Sequence, residues 1–419
     1  MPGLPAPPSA DAPPPPSDAS TIFKYILVKL AARCNIDCSY CYWFRDQAVY
    51  DMPKILPLEV EGQFLDKLRT HVTTHRLASF SVILHGGEPL LFGKPRLRAL
   101  CAKLTALEEA TGVEIRTSIT TNGVLIDQEW AGLFKQFGIG VTLSLDGAEE
   151  QHDRRRVDHR GRGTYKKAVN ALALLREVGI EPGILAVCDP EGEPAELCRA
   201  FVDTLGIKNF DVLIPDATHD DTVISIERYY TKLFDLWFDD YSRRGIGIRF
   251  IENMLRGTVG LRSTTEAIGY GPITTLTMLT DGSLEPLDVL RIAGHGATRT
   301  HYNVRAHQFQ DVQGDATWRE AQRSSLNLSA ICRACEFRDA CGGGYLPWRW
   351  SKDRRYDNPS VYCADLKAMF QHVWRRVSPT LYVQSTPGEA AAAGQSKGRA
   401  VSRVAHDQPK MHGSGTRAH

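Results

Sequence analysis

The chain has 419 residues, 42% of them hydrophobic, and a formal net charge of +1. That length buries a large core with room for more than one folded unit. The balanced charge excludes an electrostatically driven nucleic-acid or membrane-surface binder, and no stretch approaches a transmembrane span. Residues 1–21 begin with a Pro/Ala/Ser-rich run lacking an apolar core, which reads as a disordered arm and not a signal peptide. Strands are predicted near Tyr25–Ala32, Ser79–Leu84, Ile115–Thr121, Gly140–Leu145, Gly183–Val187 and Asn209–Ile214. Between them lie amphipathic stretches at Leu58–Val72, Lys94–Ala110, Asp127–Gln136, Tyr165–Val178 and Pro194–Thr204. Six such βα units imply an α/β fold with a parallel sheet. Two further units, needed for an eight-fold barrel, are not visible. A helical stretch, Ile224–Arg243, comes next, its aromatic residues read as packing surface. Leu276–Asp288 then reads as a hairpin about Asp281-Gly282. Residues 384–419 lack apolar periodicity and read as a disordered tail.

Ten cysteines without an export signal point to metal ligation in the cytoplasm and not to disulfides. Cys101, Cys188 and Cys198 sit in apolar or helical contexts and read as core. Cys34, Cys38 and Cys41 share one tight loop after the first strand. With no fourth Cys or His beside them, they suit an iron–sulfur cubane with one open iron better than zinc, which takes four ligands. Taken alone, the triplet also allows buried cysteines brought together by chance, or half a zinc site. Three further stretches end strands in glycine and polar residues: His85-Gly86-Gly87-Glu88-Pro89, Thr121-Asn122-Gly123 and Ser144-Leu145-Asp146-Gly147. In parallel sheets such strand ends carry the chemistry.

The cysteine loop, with aromatic Tyr40 before its third cysteine, resembles the signature of the radical S-adenosylmethionine (SAM) superfamily. The three glycine-bearing strand ends resemble its SAM-binding segments. His152 to Tyr165, including Arg156, resembles the superfamily's next segment. The resemblance implies a partial (β/α)6 barrel at residues 22–247. It implies a SAM-binding [4Fe–4S] cluster on Cys34, Cys38 and Cys41. It also implies SAM contacts from Tyr40, Gly86, Gly87, Glu88, Asn122, Ser144, Asp146 and Arg156, and an external one-electron reductant of flavodoxin or ferredoxin type.

Cys332, Cys335, Cys341 and Cys363 form a second set, which by number alone suits zinc or a closed cluster. Their spacing resembles the SPASM domain of peptide-modifying radical SAM enzymes, which implies a smaller auxiliary-cluster domain at residues 248–383. That domain normally holds two auxiliary [4Fe–4S] clusters. Here Leu287 and Tyr345 stand where cysteines of the first would be, so one auxiliary cluster is expected. Asp288 matches a general base of sulfatase-maturing relatives, and a shielded carboxylate of raised pKa would suit that work. Cys341–Cys363 resembles the cyclophane-forming maturases of ribosomally made precursor peptides. The resemblance thus implies an oxidoreductase forming a carbon–carbon cross-link between an aromatic ring and a nearby β-carbon. A formylglycine maturase, a thioether-forming maturase and a non-catalytic zinc or electron-carrier protein are the alternatives. The short arm before the barrel leaves no room for a leader-binding winged helix. Leader recognition is therefore expected at the barrel mouth, on a separate protein, or by strand addition to the Thr274–Leu287 hairpin edge.

Overall fold

The computed structural model describes residues 21–382. The expectations for Met1–Ser20 and for residues 384–419 lie outside the described residues. The strands, in chain order, are β1 (Tyr25–Ala31), β2 (Ile36–Cys38), β3 (Ser79–Gly86), β4 (Glu114–Thr121), β5 (Gly140–Ser144) and β6 (Arg156–Asp158). They continue with β7 (Gly183–Val187), β8 (Asn209–Leu213), β9 (Gly247–Ile248), β10 (Thr277–Met278) and β11 (Leu284–Glu285). Nine of them form one open sheet in the order β11-β10-β1-β3-β4-β5-β7-β8-β9. Every neighbouring pair is parallel except β10 and β11. All six predicted βα strands are present. The sheet nonetheless extends past them, because two-residue strands β9 and β10 add parallel rungs at its two sides. Strands that short leave no period-2 pattern to read.

The connecting helices are α1 (Leu58–Thr74), α2 (Lys94–Thr111), α3 (Gln128–Gln136), α4 (Glu149–Arg155), α5 (Tyr165–Glu177) and α6 (Pro194–Cys198). Apart from α4, which buries only His152, each presents apolar side chains to the core. In α1, Val60, Phe64, Leu68 and Val72 recur every fourth residue, and all four are fully buried. Burial of that kind stabilises by about 1.5–3 kcal/mol per large side chain. Asp127 stops the preceding loop by capping α3, its carboxylate accepting from Trp130 N at 3.0 Å. The predicted long helix is split: α7 (Glu227–Leu236) continues as a π-helical turn over Trp237–Tyr241. Its aromatic residues are packing surface as expected, with Tyr229, Tyr230, Phe234 and Trp237 buried.

After α8 (Arg249–Thr258) comes the β10–β11 hairpin. Gly282 turns it with φ +88°, and a β-carbon there would meet Asn303, Val304 and Val60. The hairpin joins the barrel sheet through β1. Its outer edge is not open to strand addition, because Leu284 N already donates to Tyr302 O and Ser283 bridges Asn303. That corrects one expected route for a leader peptide, since covered edge groups cannot template another strand. The rest is irregular, with α9 (Ala316–Leu326), α10 (Ala330–Arg333), α11 (Arg338–Cys341) and α12 (Cys363–Tyr382). The described residues up to Val373 belong to one compact unit, and Trp374–Tyr382, the last turns of α12, belong to another. Among the described residues no helix is long and apolar enough to cross a membrane.

Candidate active site

Cys34, Cys38 and Cys41 sit beyond the C-terminal end of β1, on a loop fixed from three sides. Below, Gly87 N donates to Ala31 O and Glu88 N to Arg33 O. The approach is so close that a β-carbon on Gly87 would lie 2.4 Å from Arg33 O. Beside it, β2 pairs antiparallel with β6, putting Cys38 opposite Arg156. On the third side, Trp43 packs with Ala32, Val49 and Leu279, and Cys41 lies against that cluster. Neither the β2–β6 ribbon nor the Trp43 anchor is legible in the spacing of the cysteines.

Burial, and secondarily Glu88, raises the Cys34 thiol to about 12. Burial also raises Cys38 to about 11, against the pull of Arg156. Thiolates therefore form on this loop only with a bound cation to stabilise them. In a cubane each thiolate binds its own iron, so the sulfurs stand further apart than around zinc. Three thiols on one loop, with no fourth protein ligand beside them in the sequence, are donor chemistry that fits a cluster.

The expected SAM-contacting residues gather at the same strand ends, several already tied to one another. Glu88 is 1% exposed and accepts from Leu90 N, Thr121 Oγ1 and Asn122 N at 2.7–3.0 Å. Burial raises its pKa. Asn122 Nδ2 donates to Asn35 Oδ1 at 2.8 Å, on the cysteine loop. Tyr40 OH donates to Asp146 and accepts from Arg156 Nη1 at 2.6 Å. Asp146 Oδ1 also accepts from Val187 N at 3.1 Å. Ser144 ends β5 opposite Leu185, with part of its surface accessible.

Asp288 lies across the site, 3% exposed. Its Oδ2 accepts from Lys29 Nζ and from Tyr42 OH, each at 2.5 Å. Burial alone would raise its pKa, but the Lys29 ammonium, with His85 and Tyr42, overcomes this and leaves it at about 2. The expected raised pKa is therefore corrected, and the carboxylate is held ionised. Lys29, on β1, is fully buried. Desolvation lowers its pKa against the pull of Asp288, yet it packs 4.3 Å from the Trp43 ring centroid and 3.2 Å from His85 Nδ1. Sequence reading missed Lys29, although a lysine inside an otherwise apolar strand was the available signal.

It also missed Asp216, just beyond β8. Burial raises this carboxyl to about 7, and proximity to Asp288 adds to the rise. The Trp348 indole faces it, although the buried Nε1 makes no hydrogen bond of normal geometry. Arg45 Nη1 donates to Asp216 O at 3.3 Å from the cysteine-loop side, and Tyr362 OH to Pro215 O at 3.0 Å from the other. Tyr42, His85, Asp216 and Tyr345 all keep some accessible surface although deeply set, and they are neighbours: the charges of Asp216 and Asp288 act on Tyr42 and Tyr345, and that of Asp288 on His85.

In the second set, Cys332 is on α10, Cys341 ends α11 and Cys363 begins α12. Burial, then Cys332, Cys363 and Cys335, raises Cys341 to about 12, so these four thiols are close neighbours. Leu287 and Tyr345 meet in one apolar cluster with Ile273, Leu290, Leu346, Trp350 and Tyr356.

Comparison with known proteins agrees with this geometry. The Radical SAM superfamily model matches residues 28–196. A cysteine-type anaerobic sulfatase-maturating enzyme of Clostridium novyi is 24% identical, covering 86% of this chain and 97% of that protein. A serine-type enzyme of Klebsiella aerogenes is 27% identical over 77% of this chain and 79% of that protein. The solved structure of native anSMEcpe with bound AdoMet and the Cp18Cys peptide matches with a TM-score of 0.74 at 22% identity. It covers 86% of this chain and 99% of that one. Radical SAM enzymes use a [4Fe–4S] cluster and SAM, and the strand ends described above are where this chain gathers residues suited to both. Residues 28–196 of this enzyme match the radical SAM superfamily.

Proposed function

We propose that this enzyme oxidises a side chain of a peptide, beginning at a β-carbon. The observation that carries the reading is the group of deeply set polar side chains Asp288, Asp216, His85, Tyr42 and Tyr345, which act on one another next to the first cysteine loop. Relatives matching most of the chain are named for maturing sulfatases, and a related fold holds a peptide. Cys34, Cys38 and Cys41 are the proposed ligands of the SAM-binding cluster. Asn122, Ser144, Asp146, Tyr40, Arg156 and the Gly86-Gly87-Glu88 turn are its proposed surroundings. Cys332, Cys335, Cys341 and Cys363 are the proposed ligands of a single auxiliary cluster. When bound, cluster and SAM supply a radical able to take a hydrogen atom from an unactivated carbon, and the closed cluster accepts an electron.

The residues then divide the remaining work. Asp288, ionised by Lys29, orients the substrate by accepting a hydrogen bond. Asp216, with a pKa near the working pH, is suited to take up the proton that oxidation releases. Glu88 and Asn122 hold β3, β4 and the cysteine loop in register.

Two products are compatible with that division. Relatives favour an aldehyde formed from a cysteine or serine side chain. The apolar filling around Leu287 and Tyr345, at the place of the first auxiliary cluster, favours a different product, and Cys341–Cys363 resembles the cross-linking maturases. Anaerobic turnover with reductant, SAM and synthetic peptides bearing one Cys, one Ser, or an aromatic residue near an aliphatic one separates them. An aldehyde trapped by a hydrazide marks the first, and a carbon–carbon cross-link with loss of two hydrogens the second. Unchanged peptides throughout, despite SAM cleavage, reject the peptide reading.

A further inference from the structure

Arg349 ends a short helical turn, Leu346–Arg349, and is 1% exposed. Its Nε donates to Asn358 O at 3.1 Å, and Nη2 donates to Asn327 O at 3.0 Å and Tyr356 O at 2.9 Å. These acceptors are neutral carbonyls. Among the described residues no carboxylate pairs with this guanidinium. The other fully buried arginine, Arg291, by contrast, is clamped by Asp46 at 2.8 Å and by Glu285. A buried cation without a counter-anion is costly, and guanidinium cannot shed its proton to escape. Of the negative groups acting on it, Asp357 is largely exposed and pairs with Arg354, so the buried sources are the neighbouring cysteines. Cys332 and Cys341 are the thiols whose charge acts on Arg349. Arg349 Cδ and Cys332 Sγ both lie 3.6 Å from the place a Gly343 β-carbon would occupy.

We propose that Arg349 is the charge-compensating residue of the second cysteine set. It holds an anionic tetrathiolate iron–sulfur cluster there and raises that cluster's reduction potential. This rests on the ligand assignment proposed above. A fixed positive charge in a low-dielectric pocket stabilises the form carrying the extra electron, so it makes the cluster a better electron acceptor. Arg349 is thus a positioning residue whose action is electrostatic. The carbonyls keep its fork rigid, and Asn358 Nδ2 secures the turn by donating to Arg349 O at 2.9 Å.

The test uses the full chain carrying Cys34→Ala, Cys38→Ala and Cys41→Ala, so that any remaining iron reports the second set. Arg349→Lys and Arg349→Gln are compared with Arg349 in that background by iron analysis and by redox titration followed by electron paramagnetic resonance. The glutamine variant is expected to be harder to reduce by at least tenfold in the equilibrium, a downward shift of about 59 mV for one electron. The lysine variant, which keeps the charge, should restore most of that difference. Loss of iron in the glutamine variant alone also supports the assignment. An unchanged potential in an iron-loaded glutamine variant overturns it, as does equal loss of iron in both variants. Stoichiometric zinc in the Arg349 protein overturns both this inference and the auxiliary-cluster assignment. No peptide is present, so the peptide reading is decided separately.

Discussion

Lys29 and Asp288 illustrate why a buried charge is best understood through its partner. Both are removed from water, and each is tolerable only because the other is there. Lys29→Met should therefore destabilise by about 3–5 kcal/mol, because Asp288 is left ionised or forced to take up a proton. Adding Asp288→Asn should recover a substantial part of that loss. Urea unfolding of the two single variants and the double variant measures the coupling, and strictly additive losses would show that the pair does not interact. Asp216 gives a prediction of the opposite kind. Its folded-state pKa of about 7 lies above its ordinary value of 3.8, so the folded protein holds the proton more tightly than the unfolded chain. This group's stabilising effect is complete below pH 4 and is lost as pH rises through 7. Asp216→Asn should raise the Tm at pH 8 and change it little at pH 4. Equal effects at both pH values would contradict the assignment.

Elements matter here mainly through how closely their ends approach one another. The β3 turn touches the cysteine loop backbone to backbone, which leaves no room for a β-carbon on Gly87. Gly87→Ala must push Arg33 and Cys34 away, and atoms of the main chain cannot yield as a flexible side chain would. We expect at least a tenfold loss of SAM cleavage and reduced iron at the first site, measured after anaerobic reconstitution. Gly93→Ala is the fitting comparison for added bulk, because a β-carbon there meets nothing within 4 Å, although its φ of +86° adds local strain. The cysteine loop itself has three thiols and no reserve ligand. Replacing Cys34, Cys38 and Cys41 by Ala should abolish formation of 5′-deoxyadenosine, and its persistence would remove the loop from the chemistry.

Across the whole molecule, each of the two cysteine sets is proposed to hold one cluster. The reconstituted protein should then carry about eight irons, and Cys341→Ala about four, since each cubane holds four. Iron analysis with Mössbauer spectroscopy checks this, and about twelve irons would mean that the apolar cluster around Leu287 and Tyr345 does not fill a third site. The same cluster packs Tyr345 against Leu287 and Leu290, which flank Asp288 in the chain. Ion pairs add to this connection: Lys29–Asp288 and Arg291–Asp46 both tie the cysteine-loop region to the segment after β11.

The six βα units were legible in the sequence because alternating and four-residue apolar patterns are local. Strand ends such as His85–Glu88 and Asn122–Gly123 were legible because glycine and polar residues stop a strand wherever it lies. The spacing of the cysteines likewise identified two ligand sets of different size, since ligand number is a matter of composition. What the tertiary structure decided is which distant charges meet. No local pattern places Lys29 against Asp288, 259 positions away, and so the sequence suggested a raised pKa where the fold enforces a low one. Asp216 carries no local mark in the sequence, and it is burial and the charge of Asp288 that raise its proton affinity. Arg349 looked like one basic residue among many until the fold surrounded it with carbonyls and thiols. Local pattern specifies elements because propensity and burial periodicity act over a few residues. Electrostatic environment depends on everything within a Debye length or less, and only the folded chain brings those groups together.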